Sequence, residues 1–282
     1  MLTPWKYKSG VELTFQRSFE EVSSFQRWSE RQYFGRRNCL HADCLRMSRA
    51  VPKELVWSVT TDPDCVEVPT RILVSWSDAE QVINTILEHA KKKKLIAKNK
   101  GLSTGGGGHV HVSGMNDLTK CAVVRDMQNR PYVPWFFADP DTTSQCNSVH
   151  SEGFGLLSAG WKTIRNDPRD YIWNGKFTHV HIHTQGTLEF RFFDCFMEYE
   201  RYEESLAFAQ AYVKWIADSL IRNKRFNVLI KNRSGLLAHY NDYVRCLEEF
   251  QKLIETIGLP WARYKRYIDN LDQRFEDINL LR

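Results

Sequence analysis

Apolar and polar residues alternate over short stretches of the first two hundred positions, then settle into a spacing of three and four that runs almost to the end. In "GVELTF", Val11, Leu13 and Phe15 alternate with Glu12 and Thr14, the period of a half-buried strand. "LVWSVTTDPDCVEVPTRILV" is strand-like too, but the break near Pro63 predicts a hairpin or a bulged crossing. "HVHVS", "FTHVHIH" and "TLEFRFFD" read as further strands, the last two meeting around Gly186.

The helical spacing predicts a helix over "SFEEVSSFQRWSERQYF", capped by Ser18. In "SDAEQVINTILEHAKKKKLI", Ala79, Val82, Ile83, Ile86, Leu87 and Ala90 form one stripe behind a Ser77 or Asp78 cap. "NDLTKCAVVRDMQ" reads as a capped helix, and residues 130–176 as an irregular region with a short helix at "SEGFGLLSAGWKTI". After Phe196, Leu206, Ala209, Val213, Ile216 and Leu220 keep helical spacing, and "LLAHYNDYVRCLEEFQKLIETIG" follows with Gly258 as its stop. Strands followed by helices predict an α+β fold, with a sheet region over 1–196 and a helical region over 197–282 packed on the same domain.

Composition narrows the class without naming it. With 282 residues, 42% hydrophobic and 26% charged, the chain is long enough for a real core and is not of a disordered type. The net charge of +5 permits acidic or phosphorylated substrates but lacks the dense basic footprint of a nucleic-acid binder. No apolar run reaches the roughly 18 residues of a membrane helix, and the first residues mix charges with aromatics, so the expectation is a soluble cytoplasmic chain without a signal peptide. The 7 cysteines lack paired spacing and suit thiols in a reducing compartment. Cys39, His41 and Cys44 of "CLHADC" could supply zinc ligands, but no fourth follows at finger spacing, and the segment reads as a loop. The "KKKK" that ends the 77–96 stretch reads as a solvated, dipole-favoured helix end.

The candidate chemistry comes from sorting each strand by face, since residues two apart point the same way. The polar faces carry Glu12; Glu67, with Asp62 or Asp64 just upstream; His109, His111 and Ser113; His179, His181 and His183; and Glu189 with Arg191. On a curved sheet such groups converge on one cavity. Gathered carboxylates need cations between them, and oxygen ligands with an imidazole suit Mg²⁺ or Mn²⁺. Mg²⁺ usually keeps substrate phosphates among its ligands, so a nucleotide is expected, with Arg191 offering its fork to phosphate oxygens. The glycines of "GGGGHVHVSG" can bring backbone N–H donors close to an anion, which makes Gly107, Gly108 and His111 candidate nucleotide contacts. The run is neither a Walker nor a dinucleotide fingerprint.

Taken in order, "GVELTF", "TTDPDCVEVPT", "GGGGHVHVS" and "TLEFRFFD" resemble the motifs of the glutamine synthetase and glutamate–cysteine ligase superfamily. Within it the chain is most similar to the compact amidoligases of bacterial and phage genomes, over roughly residues 8 to 220. The resemblance implies a curved antiparallel sheet with a concave active-site face, helices on its outer face and a helical C-terminal region. It implies an enzyme in which Glu12, Asp62, Glu67, His109 and Glu189 hold two or three Mg²⁺ ions and Arg191 contacts nucleotide phosphate, with Glu12, Glu67, Glu189 and Arg191 carrying the reaction. ATP would phosphorylate a small-molecule or peptide carboxylate, and an amine would displace phosphate to leave an amide, with a macromolecular acceptor also open. The setting it implies is the cytoplasm of a bacterium or phage-infected cell.

Thr14 departs from the pattern, which places a second carboxylate there, and the histidines at 179, 181 and 183 lie outside it. Arg130 is a candidate for binding a substrate carboxylate, and Tyr132, Trp135, Phe136 and Phe137 could stack a base or fill the core. Cys195 is not needed as a nucleophile. A cupin-like metal protein is disfavoured because "HVHVSGMND" lacks the Glu such a site needs. A small-molecule kinase of the same superfamily and a non-catalytic binding descendant remain as alternatives.

Overall fold

The computed structural model describes residues 4–17, 34–62, 65–97, 108–128, 130, 132–137, 180–183, 186–222, 243–270 and 272. Its strands are β1 (Lys8–Arg17), β2 (Thr60–Asp62), β3 (Cys65–Pro69), β4 (Leu95–Ala97), β5 (Gly108–Ser113), β6 (Val180–Ile182) and β7 (Leu188–Phe193). Its helices are α1 (Phe34–Ala50), α2 (Trp76–Lys92), α3 (Asp117–Gln128), α4 (Val133–Phe137), α5 (Tyr199–Arg222), α6 (Tyr243–Thr256) and α7 (Trp261–Tyr264). The strands form one open, 7-stranded sheet in the order β2-β3-β1-β5-β7-β6, with β4 paired to β1 off that path. The pairs β1–β3, β1–β4, β2–β3 and β6–β7 are antiparallel. The α+β reading therefore holds.

Contacts divide the chain into two compact units, one of residues 8–110 and 194–203 and the other of residues 1–7, 111–193 and 204–282. The dividing line runs through β5.

In the unit that begins at residue 8, Val11, Leu13 and Phe15 of β1 are buried, as the alternation requires. The break near Pro63 is a hairpin: Asp62 pairs with Cys65, Thr61 with Val66 and Thr60 with Glu67. All six apolar residues of the α2 stripe are buried. At about 1.5–3 kcal/mol per fully buried large aliphatic side chain, that stripe alone fastens the helix to its unit. Its cap is Ser75, not Ser77 or Asp78: the Ser75 Oγ accepts from the Asp78 N–H at 3.1 Å. The Asp78 carboxylate is committed elsewhere, accepting from Arg71 Nη1 at 3.1 Å and from the Val74 N–H at 3.0 Å. The helix stops at Lys92, Lys94 takes a left-handed φ of 59°, and Leu95–Ala97 turn back as β4 instead of extending the helix.

The segment expected to be a cysteine loop is helical. "CLHADC" lies inside α1, because Cys44, Met47 and Val51 recur at helical spacing and are buried. Cys44 serves there as a small apolar residue whose Sγ donates to the Val59 carbonyl at 3.4 Å. The Ser18 helix lies outside the described residues, as does the short helix at 151–164.

In the other unit, β6 and β7 form the hairpin expected around Gly186, whose φ of 81° suits only glycine. Asn116 caps α3 by accepting from the Thr119 N–H at 2.8 Å. Within the stretch read as irregular, "VPWFF" makes the short helix α4, and its two phenylalanines are core: Phe136 stacks on Phe250 at 3.8 Å, and Phe137 meets Phe193, Phe208 and Tyr267. Leu206, Ala209, Val213 and Ile216 of α5 are buried, and α6 runs toward Gly258, where φ is 80°. Among the described residues no helix is long and apolar enough to cross a membrane.

Candidate functional site

β1 places Glu12 among buried neighbours while leaving its carboxylate partly open. The Glu12 Oε2 lies 2.6 Å from Nδ1 of His109 on β5, a ring buried to 8% exposure. An ionised carboxylate only accepts, so His109 Nδ1–H is the donor in this short, charge-assisted bond.

Across β1 and β3, Glu67 pairs with Thr14 and Glu12 with Pro69, so Glu67 stands opposite the position where the family pattern has its second acid. Thr14 is buried, and its N–H donates to the Cys195 Sγ at 3.0 Å. Burial pushes the Cys195 thiol up, outweighing the hydrogen bonds from Tyr202 and Thr14 that favour the thiolate. A buried, protonated thiol is packing material, which agrees with leaving Cys195 out of the chemistry. Asp62 ends β2; Gly107, His179 and Asp64 lie outside the described residues.

The last glycine of the run has a packing reason. A Cβ on Gly108 would sit 2.5 Å from the Asp194 carbonyl oxygen, closer than real side chains approach backbone. Glycine at 108 lets the start of β5 lie against that carbonyl, whatever else the residue does.

In the unit that begins again at residue 111, His111 Nδ1 lies 3.3 Å from the Thr187 Oγ1, and its ring meets His183 edge-on at 6.1 Å. His183 in turn meets His181 at 6.2 Å, and His181 is the cross-strand partner of Glu189. Thr187, at the foot of β7, is a polar contact that sequence reasoning did not pick out; its only signal was its place beside Gly186 in the turn. Glu189 is 2% exposed and pairs with Arg191 Nη1 two residues along β7, while Leu188, Phe190 and Phe192 are buried. The Glu-x-Arg pairing is thus a direct contact.

Within one unit Glu12 and His109 form an acid–imidazole pair on β1 and β5, and within the other Glu189 and Arg191 form an acid–guanidinium pair on β7; oxygen and imidazole donors of this kind suit Mg²⁺ or Mn²⁺.

Arg130 already forks a carboxylate of the chain itself. Its Nε donates to Asp126 Oδ2 at 2.8 Å, its Nη1 to the Tyr132 hydroxyl at 3.2 Å, and its guanidinium lies 5.6 Å from the Trp215 ring centroid. Burial alone would lower its pKa; Asp126, Tyr132 and Tyr212 more than offset that and hold it well above the ordinary arginine value.

No family model matches the chain, and no curated protein matches it. Among solved structures, one described as "Apo GmaS without ligand" is similar to it, with a TM-score of 0.46 and 13% identity over 97% of this chain and 69% of that one.

Proposed function

We propose that the chain is an ATP- and Mg²⁺-dependent carboxylate–amine ligase that forms an amide through an acyl phosphate. The observation that carries the reading is the direct contact of Glu189 with Arg191 on β7, an acid and a guanidinium side by side on one strand. Glu12, Asp62, Glu67, His109 and Glu189 are the residues that would hold the divalent cation. When bound, the cation would neutralise phosphate oxygens and orient the transferred group.

The chain's own side chains do the rest. Arg191, on the strand that supplies Glu189, would add a fixed positive charge where negative charge accumulates. The burial of Glu189 lowers the local dielectric and strengthens both attractions. Gly107 and Gly108 would serve as backbone donors to the nucleotide in this reading. The imidazoles of His181 and His183, close to His111, would border the side from which a carboxylate or amine enters. Small-molecule or peptide acids and amines are the proposed substrates.

Calorimetric titration with ATP, with and without Mg²⁺, tests the reading in wild type and in Glu189→Gln. Mg²⁺-dependent binding that the variant loses supports it, and acid and amine pairs are then screened for ADP release. Release of ADP with an acceptor alone, unaffected by any amine, would assign the chain to phosphoryl transfer instead. Absence of nucleotide binding with Mg²⁺ present would overturn the enzymatic reading.

A further inference from the structure

We propose that the lysine turn after α2 docks an acidic peptide, which makes the acid substrate a carboxylate carried on a peptide with several acidic residues. The docking rests on charge; the naming of the substrate rests on the ligase reading above. Lys91, Lys92, Lys93 and Lys94 follow one another where α2 ends and the chain turns into β4, and all four are exposed. Lys92 meets Glu88 at 3.9 Å with both side chains in water, too loosely to quench its charge. Among the described residues, Lys91 and Lys93 have no acid partner. Arg71 of the same unit differs, since its guanidinium forks the Asp78 carboxylate.

The helix dipole does not account for the run. Its pull on a cation falls off within the last turn. The carbonyls there already accept from the backbone: the Lys93 N–H donates to the His89 and Ala90 carbonyls, and the Lys94 N–H to the Lys91 carbonyl. Lys91 and Lys94, three residues apart, repel each other. Adjacent cations therefore burden the isolated fold, and a bound anion relieves them.

The kind of anion follows from the fan of the side chains. Successive residues of a helical turn point about 100° apart, so the ammonium groups spread around the turn instead of forming a straight row. A flexible acidic peptide can fold around such a tip, whereas a duplex presents its phosphates along a rigid path. Single-stranded nucleic acid is gripped by aromatic stacking and guanidinium groups, and positions 91–97 hold neither an aromatic residue nor an arginine.

Strand β4 fixes where the tip lies relative to Glu12, within one compact unit. Leu95 pairs with Arg17, and from there β1 leads back to Glu12. At about 3.3 Å per residue that path is about 17 Å long. A peptide of about six extended residues spans it, so an acidic tail can sit on the lysines while another carboxylate reaches the level of Glu12.

The probes are fluorescein-labelled decaglutamate, triglutamate and an oligothymidylate of the same length as the longer peptide, titrated onto the full chain by fluorescence anisotropy at low and physiological salt. Lys91, Lys92 and Lys93 are replaced together, by Gln in one variant and by Arg in the other. Lys94 is kept for its left-handed backbone, with φ of 59°. Docking predicts that decaglutamate binding weakens with salt, falls about 10-fold in the Gln variant and stays within about threefold of wild type in the Arg variant. Triglutamate, too short to span the path, should bind about 10-fold more weakly than decaglutamate. Mg²⁺-dependent ATP binding should match wild type in both variants. Decaglutamate binding that is absent at low salt, or equal in wild type and the Gln variant, overturns the inference. Oligothymidylate bound as tightly as decaglutamate overturns the choice of a peptide. The ligase reading fails differently: wild type would hold decaglutamate through the lysines yet show no Mg²⁺-dependent ATP binding.

Discussion

Asp126, Glu204 and Glu189 are all buried carboxylates, and they are held in different ways. Glu204 is fully enclosed and accepts from Arg263 Nε at 3.2 Å and from the Tyr267 hydroxyl at 2.8 Å, while Arg266 pairs with it at 2.6 Å. These partners lie about sixty residues further along, so the carboxylate ties α5 to the segment beyond α6. Asp126 likewise joins Arg130 on its own side to Tyr212 of α5. Glu189 pairs with Arg191 on the same strand, a link between residues that the backbone already holds together. The first two fasten the fold across long stretches of chain, whereas the Glu189–Arg191 contact is local to one strand. Burial alone does not tell these acids apart; the reach of the contacts each makes does.

The comparison can be broken by mutation, and the expected losses of stability descend in order. Asp126→Ala strands the Arg130 guanidinium and the Tyr212 hydroxyl together, and should cost about 4 kcal/mol in urea unfolding. Glu204→Ala should cost about 3 kcal/mol, less because Arg266 is half in water and can be rehydrated. Glu189→Gln keeps shape and volume, so stability should change by less than about 1 kcal/mol while Mg²⁺-dependent ATP binding falls by about 100-fold or more. A loss of stability in Glu189→Gln as large as in Glu204→Ala would erase the distinction. Glu88→Ala supplies the floor: its pair with Lys92 at 3.9 Å is exposed on both sides, and the change should stay within about 0.5 kcal/mol.

How much of this could be read from the sequence depends on how far each signal reaches. The α2 stripe was legible because six apolar residues at helical spacing leave one solution. The β6–β7 hairpin was legible because a glycine between alternating strands marks the turn. Helix α1 was missed because Cys44 drew attention as chemistry when it acts as apolar volume beside Met47. Ser75 was missed as a cap because the neighbouring Ser77 and Asp78 have equal capping ability, and only the Arg71 pairing shows why Asp78 is spoken for. In the site, alternation placed Glu12, the histidines and Glu189 on polar strand faces. Arg130 looked available for a substrate because it lies just past the end of α3, and spacing alone does not show that it reaches back one turn to Asp126.

The close approach of Gly108 to the Asp194 carbonyl has a consequence for anyone who would redesign the loop. A side chain at 108 would push the first residue of β5 off its neighbour. A strand displaced by one residue exchanges His109 and His111 for Val110 and Val112. Selection for stable protein in a library randomised at 108 should therefore return glycine there in nearly every survivor.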